Sequence, residues 1–327
     1  MNAPPELTRR LTQKVVTLDN FANVFNDDPI GTIKQYVETK EIGMELSEIS
    51  KLLYDLSDID PKALLTFFLN DSQTIYYRFY HFFKQFKLDF VTITEFLGNV
   101  MKRIALPIEV SCLRMFFLSM ASVFKESNPY YSWNVYHIAA SMVACIWHSI
   151  VRNTISFSDY LAALQNTKVP NDVKVMNYKV ICTNPCNIQG NLFNISQNSE
   201  TQVTLRDTNQ FNKKASNVYS VENDNMSIYK KEENKAQHTF SLEGVYAKFE
   251  YSDKNIPILT IKRTDGSPLY DKKVELLLCP LGKNDDEIDK IISFTNSVNI
   301  ASLIIVLKHL IDEFSNKENN PDLPTLN

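Results

Sequence analysis

The sequence predicts a chain of two parts: an all-α helical array, then a small antiparallel β barrel or sandwich closed by helix. Three observations predict it. Residues 20 to about 168 repeat apolar side chains at i, i+3, i+4 and i+7, the spacing of one helix face. The texture changes at TKVPNDVK, a polar stretch containing proline. Beyond it come short β-rich runs separated by turn residues.

Taken in order, IKQYVETK, ELSEISKLLYDLS, PKALLTFFLN, TIYYRFYHFFKQF, TITEFLGNVMKRI, EVSCLRMFFLSMASVF, SWNVYHIAASMVACIWHSIV and SFSDYLAAL each read as helix. Asp60 before Pro61 is a helix start, because an aspartate accepts from free first-turn N–H groups and proline needs no donor there. Ser132 or Asn134 precedes another. The aromatic run TIYYRFYHFF has helical spacing and is expected in the core, not stacked on nucleic acid. The second part holds NYKVIC, GNLFNI, TQVTL, VYSVEN, MSIYKK, HTFSLEG, VYAKFEY, PILTIKRT and KKVELLLCP, a meander of about seven strands. Asn223-Asp224, Asp253-Lys254-Asn255 and Asp265-Gly266 are its turn signals. DDEIDKIISFTNSV reads as a helix with an acidic first turn, and NIASLIIVLKHLIDEF as a further apolar helix. The expected boundaries are a tail over 1–19, a helical domain over 20–168, a linker over 169–176, a β domain with its helices over 177–315 and a disordered tail over 316–327.

Composition narrows the function classes. The 327 residues suffice for two cores, and a net charge of -4 gives no general attraction to nucleic acid. Seven glycines and no GxGxxG or GxxxxGK[ST] disfavour a nucleotide-binding loop. Five scattered cysteines (Cys112, Cys145, Cys182, Cys186 and Cys279) argue against a disulfide framework. Cys182 and Cys186 lack two further ligands at zinc spacing, so no metal and no cofactor is expected. MNAPPELTRRLTQ lacks the apolar run of a signal peptide, and HIAASMVACIWHSIV is short for a membrane span. A cytoplasmic protein is expected, any membrane contact being peripheral, at the Golgi, endosomes or plasma membrane. His81, His137 and His148 belong to no catalytic pattern.

Four motifs in order carry a resemblance. FNDDPIGTIKQYV, residues 25 to 37, matches a pattern FNxxPxxGIxxL at Phe25, Asn26, Pro29 and Ile33, with Thr32 at its glycine. IDPKALLTFFLND echoes LDxxxIGxYLG. FLGNVMKRIALPIEVSCLR follows ALRxFLxxFRLPGEAQKID without gaps, Leu106, Pro107 and Glu109 falling on its L, P and E. The stretch from Tyr136 to His148 follows the start of YxLxFxxIMLNTDLHNP. The helical part resembles the Sec7 domain, the exchange domain acting on ARF-family GTPases. The β part is similar to a pleckstrin-homology domain, with GNLFNI as first strand and VYSVENDNMSIYK as a following hairpin, in a cytohesin-like order.

The resemblance implies a partner, an ARF-family small GTPase, and a site. Glu109 corresponds to the family's glutamate finger, which enters the nucleotide pocket and repels the β-phosphate. Read alone, Glu109 is an exposed residue favoured by a helix N-terminus. Pro107, Ile108 and Arg114 would border the partner, and Met142, Ile146 and Trp147 would line an apolar docking groove. Read alone, these three are core residues. The chain departs from the pattern at Ile108 (glycine in the family), Cys112 (lysine), Arg114 (aspartate) and IWHSIVR (the NTDLHNP stretch). A degenerate scaffold that binds without exchange is therefore the alternative function. For a phosphoinositide or membrane surface only Arg206, Lys213 and Lys214 are available, with Asn194 where a lysine is usual.

Overall fold

A computed structural model describes residues 16–40, 45–89, 91–151, 202–208, 216–222, 224–230, 235–252, 255–282 and 284–317. The helical part runs α1 (Phe21–Asp27), α2 (Pro29–Lys40), α3 (Leu46–Asp55), α4 (Pro61–Leu69), α5 (Ile75–Phe83), α6 (Ile93–Met101), α7 (Val110–Ser127) and α8 (Val135–Val151). Local chemistry sets several starts. The Asp60 carboxylate accepts from the N–H groups of Lys62 (2.8 Å) and Ala63 (3.0 Å) ahead of α4. Thr92 and Glu95 form a reciprocal capping box on α6 (3.2 and 2.9 Å). Asn134 accepts from the His137 N–H ahead of α8 (2.8 Å).

The aromatic run supplies the core, as its spacing predicts. Tyr76, Phe79, Phe82 and Phe83 of α5 are buried. Phe79 meets Phe68 of α4 and Phe116 of α7 edge-on, with centroids 5.4 and 5.2 Å apart, the geometry that brings a positive ring edge to a negative face.

Among the described residues the second part is one antiparallel system of seven strands in the order β4-β3-β2-β1-β7-β6-β5. They are β1 (Gln202–Asp207), β2 (Asn217–Glu222), β3 (Asn225–Lys230), β4 (Ala236–Ser241), β5 (Val245–Tyr251), β6 (Pro257–Arg263) and β7 (Glu275–Cys279). β1 divides its length: Gln202 to Leu205 pair with β2, while Arg206 and Asp207 pair with β7. The sheet thereby folds into two halves, as in a pleckstrin-homology barrel. Its first strand in this order is QVTLRD; NYKVIC and GNLFNI lie outside the described residues. The Asp265-Gly266 turn forms as expected, with Gly266 at a φ of 74° where a side chain would be strained.

The C-terminal region departs from the expectation of two helices. It is one helix, α9 (Asp285–Ser315), of 31 residues. The polar cluster from Thr295 to Ser302 looks like a break because no single apolar stripe crosses it. The structure satisfies several of those groups, two of them inside the helix. Thr295 donates to the Ile291 carbonyl (2.7 Å) and Ser297 to that of Ser293 (3.1 Å). The Asn299 amide bonds both the N–H (2.8 Å) and the carbonyl (2.9 Å) of Ala247, closing the free edge of β5.

Two cores share α9. Ile291, Phe294, Val298 and Ile305 lie in the sheet's core, whereas Leu303, Val306, Leu307, Leu310, Ile311 and Phe314 lie in the helical one. By length and composition α9 could cross a membrane, but 61% of its most apolar stretch is buried inside this fold. Leu307→Ala is expected to cost about 2–5 kcal/mol. Thermal unfolding followed by far-UV dichroism and by intrinsic fluorescence should shift together in that variant; two separate transitions would show that the cores unfold independently.

Candidate functional site

The segment joining α6 to α7 is held from beneath. Arg103 carries its guanidinium back to α3, where Nη2 reaches the carbonyls of Leu53 (3.1 Å), Tyr54 (2.8 Å) and Leu56 (2.7 Å). These are among the last carbonyls of a helix, which lack intrahelical donors and attract a cation. The Ala105 N–H donates to the Pro61 carbonyl at the start of α4 (3.2 Å). Leu106 and Pro107 are buried. The chain then emerges: Ile108 is 40% exposed, and Glu109, the N-cap residue of α7, is exposed.

Glu109 does not use its side chain to cap the helix. Its carboxylate accepts instead from the Ser111 hydroxyl and from the Cys112 thiol, at 3.1 Å for the latter. Burial, followed by the Glu109 hydrogen bond and charge, pushes the Cys112 thiol up to about 12. It is therefore a protonated donor at neutral pH, which suits a neighbouring carboxylate.

Beyond Glu109 lies a cleft of about 410 Å³ with walls from both parts of the chain. Glu109, Val110, Ser111 and Arg114 form one wall; Glu243 and Gly244 before β5, and Arg263 to Asp265 at the end of β6, form the other. Arg263 is committed to backbone, its side chain donating to the carbonyls of Pro268 (3.2 Å), Ser241 (3.0 Å) and Glu243. Arg114 is committed as well. It grips Glu313 of α9 with two nitrogens, Nε to Oε1 at 2.9 Å and Nη2 to Oε2 at 2.7 Å, across 199 residues of sequence. Burial works to raise the Glu313 carboxyl, but the Arg114 bonds and charge, with Lys317, outweigh it, and the net shift is downward.

A sequence profile of the Sec7 domain matches residues 14–186, more than half of the chain. The chain belongs to the Sec7 domain family. No curated protein sequence matches it. Among solved structures it is similar to the Sec7p catalytic domain, at 19% identity and a TM-score of 0.46 over 52% of this chain and 98% of that one. It is similar to RalF, at 12% identity and a TM-score of 0.46 over 91% and 93%. A chimera of the Sec7 domain of Rickettsia prowazekii RalF with the capping domain of Legionella pneumophila RalF covers 90% of this chain and 94% of its own, at 12% identity and a TM-score of 0.46.

In this Sec7 domain the residues anticipated for the partner fall in two places. Pro107, Ile108, Glu109 and Arg114 gather at the α6–α7 loop and the first turns of α7. Met142, Ile146 and Trp147 of α8 are 0%, 0% and 9% exposed, in the same core that receives the end of α9. They present no open groove here; α9 packs along the same helix, Phe314 meeting Tyr136 at a centroid distance of 6.1 Å. Arg206 is half-buried on β1, and Lys213 and Lys214 lie outside the described residues. Among the described residues no cluster of His, Cys, Asp or Glu could hold a metal ion.

Sequence reasoning missed Glu313, Glu243 and Asp265. No local pattern ties them to Glu109; only the path of α9 and the strand order bring them there. The Glu313 carboxyl sits below its ordinary value, so its stabilising contribution is present above the usual carboxylate range, near 4.3, and disappears as pH falls through the folded value. Glu313→Gln is expected to cost about 1 kcal/mol at pH 7. The melting-temperature gap from wild type should close towards pH 3; a gap constant with pH would mean the pair contributes through packing alone.

Proposed function

We propose that this chain is a guanine-nucleotide exchange factor that promotes GDP release from an ARF-family small GTPase, with Glu109 as the finger. One observation carries the reading. In a Sec7 domain, the loop in the finger register presents an exposed carboxylate on a support fixed by Arg103, Ala105 and buried Leu106 and Pro107.

The chemistry is electrostatic. GDP is held by Mg²⁺ and cationic contacts to its phosphates, and a carboxylate brought into that poorly hydrated pocket repels the β-phosphate and competes for the same cations. No covalent bond changes; the factor stabilises the nucleotide-free GTPase, and nucleotide returns by mass action. To act, Glu109 must exchange its bonds to Ser111 and Cys112 for new ones, each worth about 1 kcal/mol. Ile108, exposed beside it, offers an apolar contact at the tip where glycine would offer none. A cytoplasmic setting with peripheral contact to a Golgi, endosomal or plasma membrane belongs to this proposal. So does weak contact of the β domain with phosphoinositides through Arg206, Lys213 and Lys214.

A second reading, a scaffold that binds a GTPase without exchange, is favoured by the burial of Met142, Ile146 and Trp147. GDP release from ARF1 loaded with fluorescent GDP separates the two. On the exchange reading the full chain accelerates release, and Glu109→Lys removes about a hundredfold or more of that acceleration. Equal release with Lys at 109 would leave the scaffold.

A further inference from the structure

The backbone of Glu109 is fixed on both sides. Its carbonyl accepts the first main-chain bond of α7, from the Leu113 N–H at 2.9 Å. The chain before it is held by Arg103, Ala105 and the buried Leu106 and Pro107. What remains adjustable is the side chain, through rotations about its own bonds. Whatever orients the carboxylate therefore sets where the tip of the loop points.

Two neighbours orient it. A capping carboxylate ordinarily accepts from the main-chain N–H groups of the second or third helical residue. Glu109 makes no such bond. Its oxygens go instead to the side chains of those same two residues, Oε1 to the Ser111 hydroxyl and Oε2 to the Cys112 thiol at 3.1 Å. The carboxylate is thereby drawn back onto the first turn of its own helix. The two donors are not equivalent. Ser111 is exposed, and water can replace its hydroxyl at little cost. Cys112 is 4% exposed, and burial pushes its thiol up to about 12, so it stays a donor through the neutral range. The thiol also stands where the family pattern has lysine. A lysine ammonium on its long flexible stem could follow a carboxylate outward; a thiol one carbon from the backbone cannot.

We infer that Cys112 is the positioning residue of the finger: together with Ser111 it holds the Glu109 carboxylate against the first turn of α7, and GDP release by this chain requires that contact to break. This rests on the exchange reading, since the contact restrains a finger only if Glu109 is one. The restraint acts after docking, on the step in which the carboxylate enters the nucleotide pocket. It therefore lowers the maximal rate of release and leaves the affinity for the GTPase alone.

The test uses the full chain as wild type, Cys112→Ala, Cys112→Ser, Ser111→Ala and Glu109→Ala. The first readout needs no GTPase. The S–H stretching band of Cys112 is isolated as the infrared difference between chains with and without Cys112→Ala. It should lie below that of a thiol without an acceptor, and should rise when the same difference is taken in the Glu109→Ala background. The second readout is GDP release from ARF1 loaded with fluorescent GDP, followed against the concentration of the chain. Cys112→Ala should raise the maximal rate about fivefold, the factor set by one ordinary hydrogen bond, with the half-saturating concentration unchanged. Cys112→Ser keeps a donor on the same short stem and should return the rate towards wild type. Ser111→Ala, at an exposed position that the fold does not depend on, should raise the rate less than Cys112→Ala. A band that Glu109→Ala leaves in place would show that the thiol does not serve the carboxylate, and would overturn the inference. So would a band that moves while the maximal rate of Cys112→Ala is no higher than a measurable wild-type rate; the contact is then structural and the exchange reading stands. Release at the intrinsic rate from wild type and every variant, across a panel of ARF-family GTPases, removes the exchange reading and the inference with it.

Discussion

One helix fixes the architecture. α9 runs roughly 46 Å at 1.5 Å per residue, and buries different faces in two cores. Ile291 to Ile305 serve the sheet, and Leu303 to Phe314 serve the helical array, with an overlap from 303 to 305. A helix apolar on several faces is stable only where each face is covered. The sheet therefore cannot take an arbitrary orientation: its edge strand is bonded to Asn299, and a turn of helix later the same rod is inside the other core. The position of the β4–β5 turn opposite Glu109 follows from that constraint, without any direct bond between the sheet and the α6–α7 loop having to specify it.

The loop itself is built on the opposite strategy, many short anchors beneath an exposed tip. Arg103 takes the carbonyl end of α3, Ala105 takes a carbonyl of α4, and Leu106 and Pro107 fill the space between. Each anchor removes backbone freedom that would otherwise have to be lost when a partner binds. The carboxylate at the tip is placed at the N-terminus of an 18-residue helix, whose free N–H groups favour negative charge. The Glu109 side chain remains unspent on capping.

How much of this was legible in the sequence depends on the range of the interaction. Short-range chemistry was readable: Asp60 before Pro61, the alternation of the strands, the turn at Asp265-Gly266 and the buried spacing of TIYYRFYHFF all follow from contacts within a few residues. The register of LPIEV was readable too, as a pattern. α9 was not, because its apolar residues answer to two cores in succession and the overlay of two stripes mimics a break at Thr295 to Ser302. Glu313 was not, because its partner lies 199 residues away and nothing near it marks the meeting. Met142, Ile146 and Trp147 were legible as apolar but not as members of a core that also takes in α9, more than 150 positions on in the chain.

Arg114 ties these scales together. A guanidinium at this point of α7, left exposed, would stand as an unpaired cation. In the present fold the same group is neither exposed nor unpaired: it has a bidentate carboxylate, partial burial and a packed helix above it. Breaking one half of such a pair leaves the other poorly solvated, so the pair resists piecemeal loss. Arg114 is a residue through which α9 is fastened to the helix that Glu109 opens.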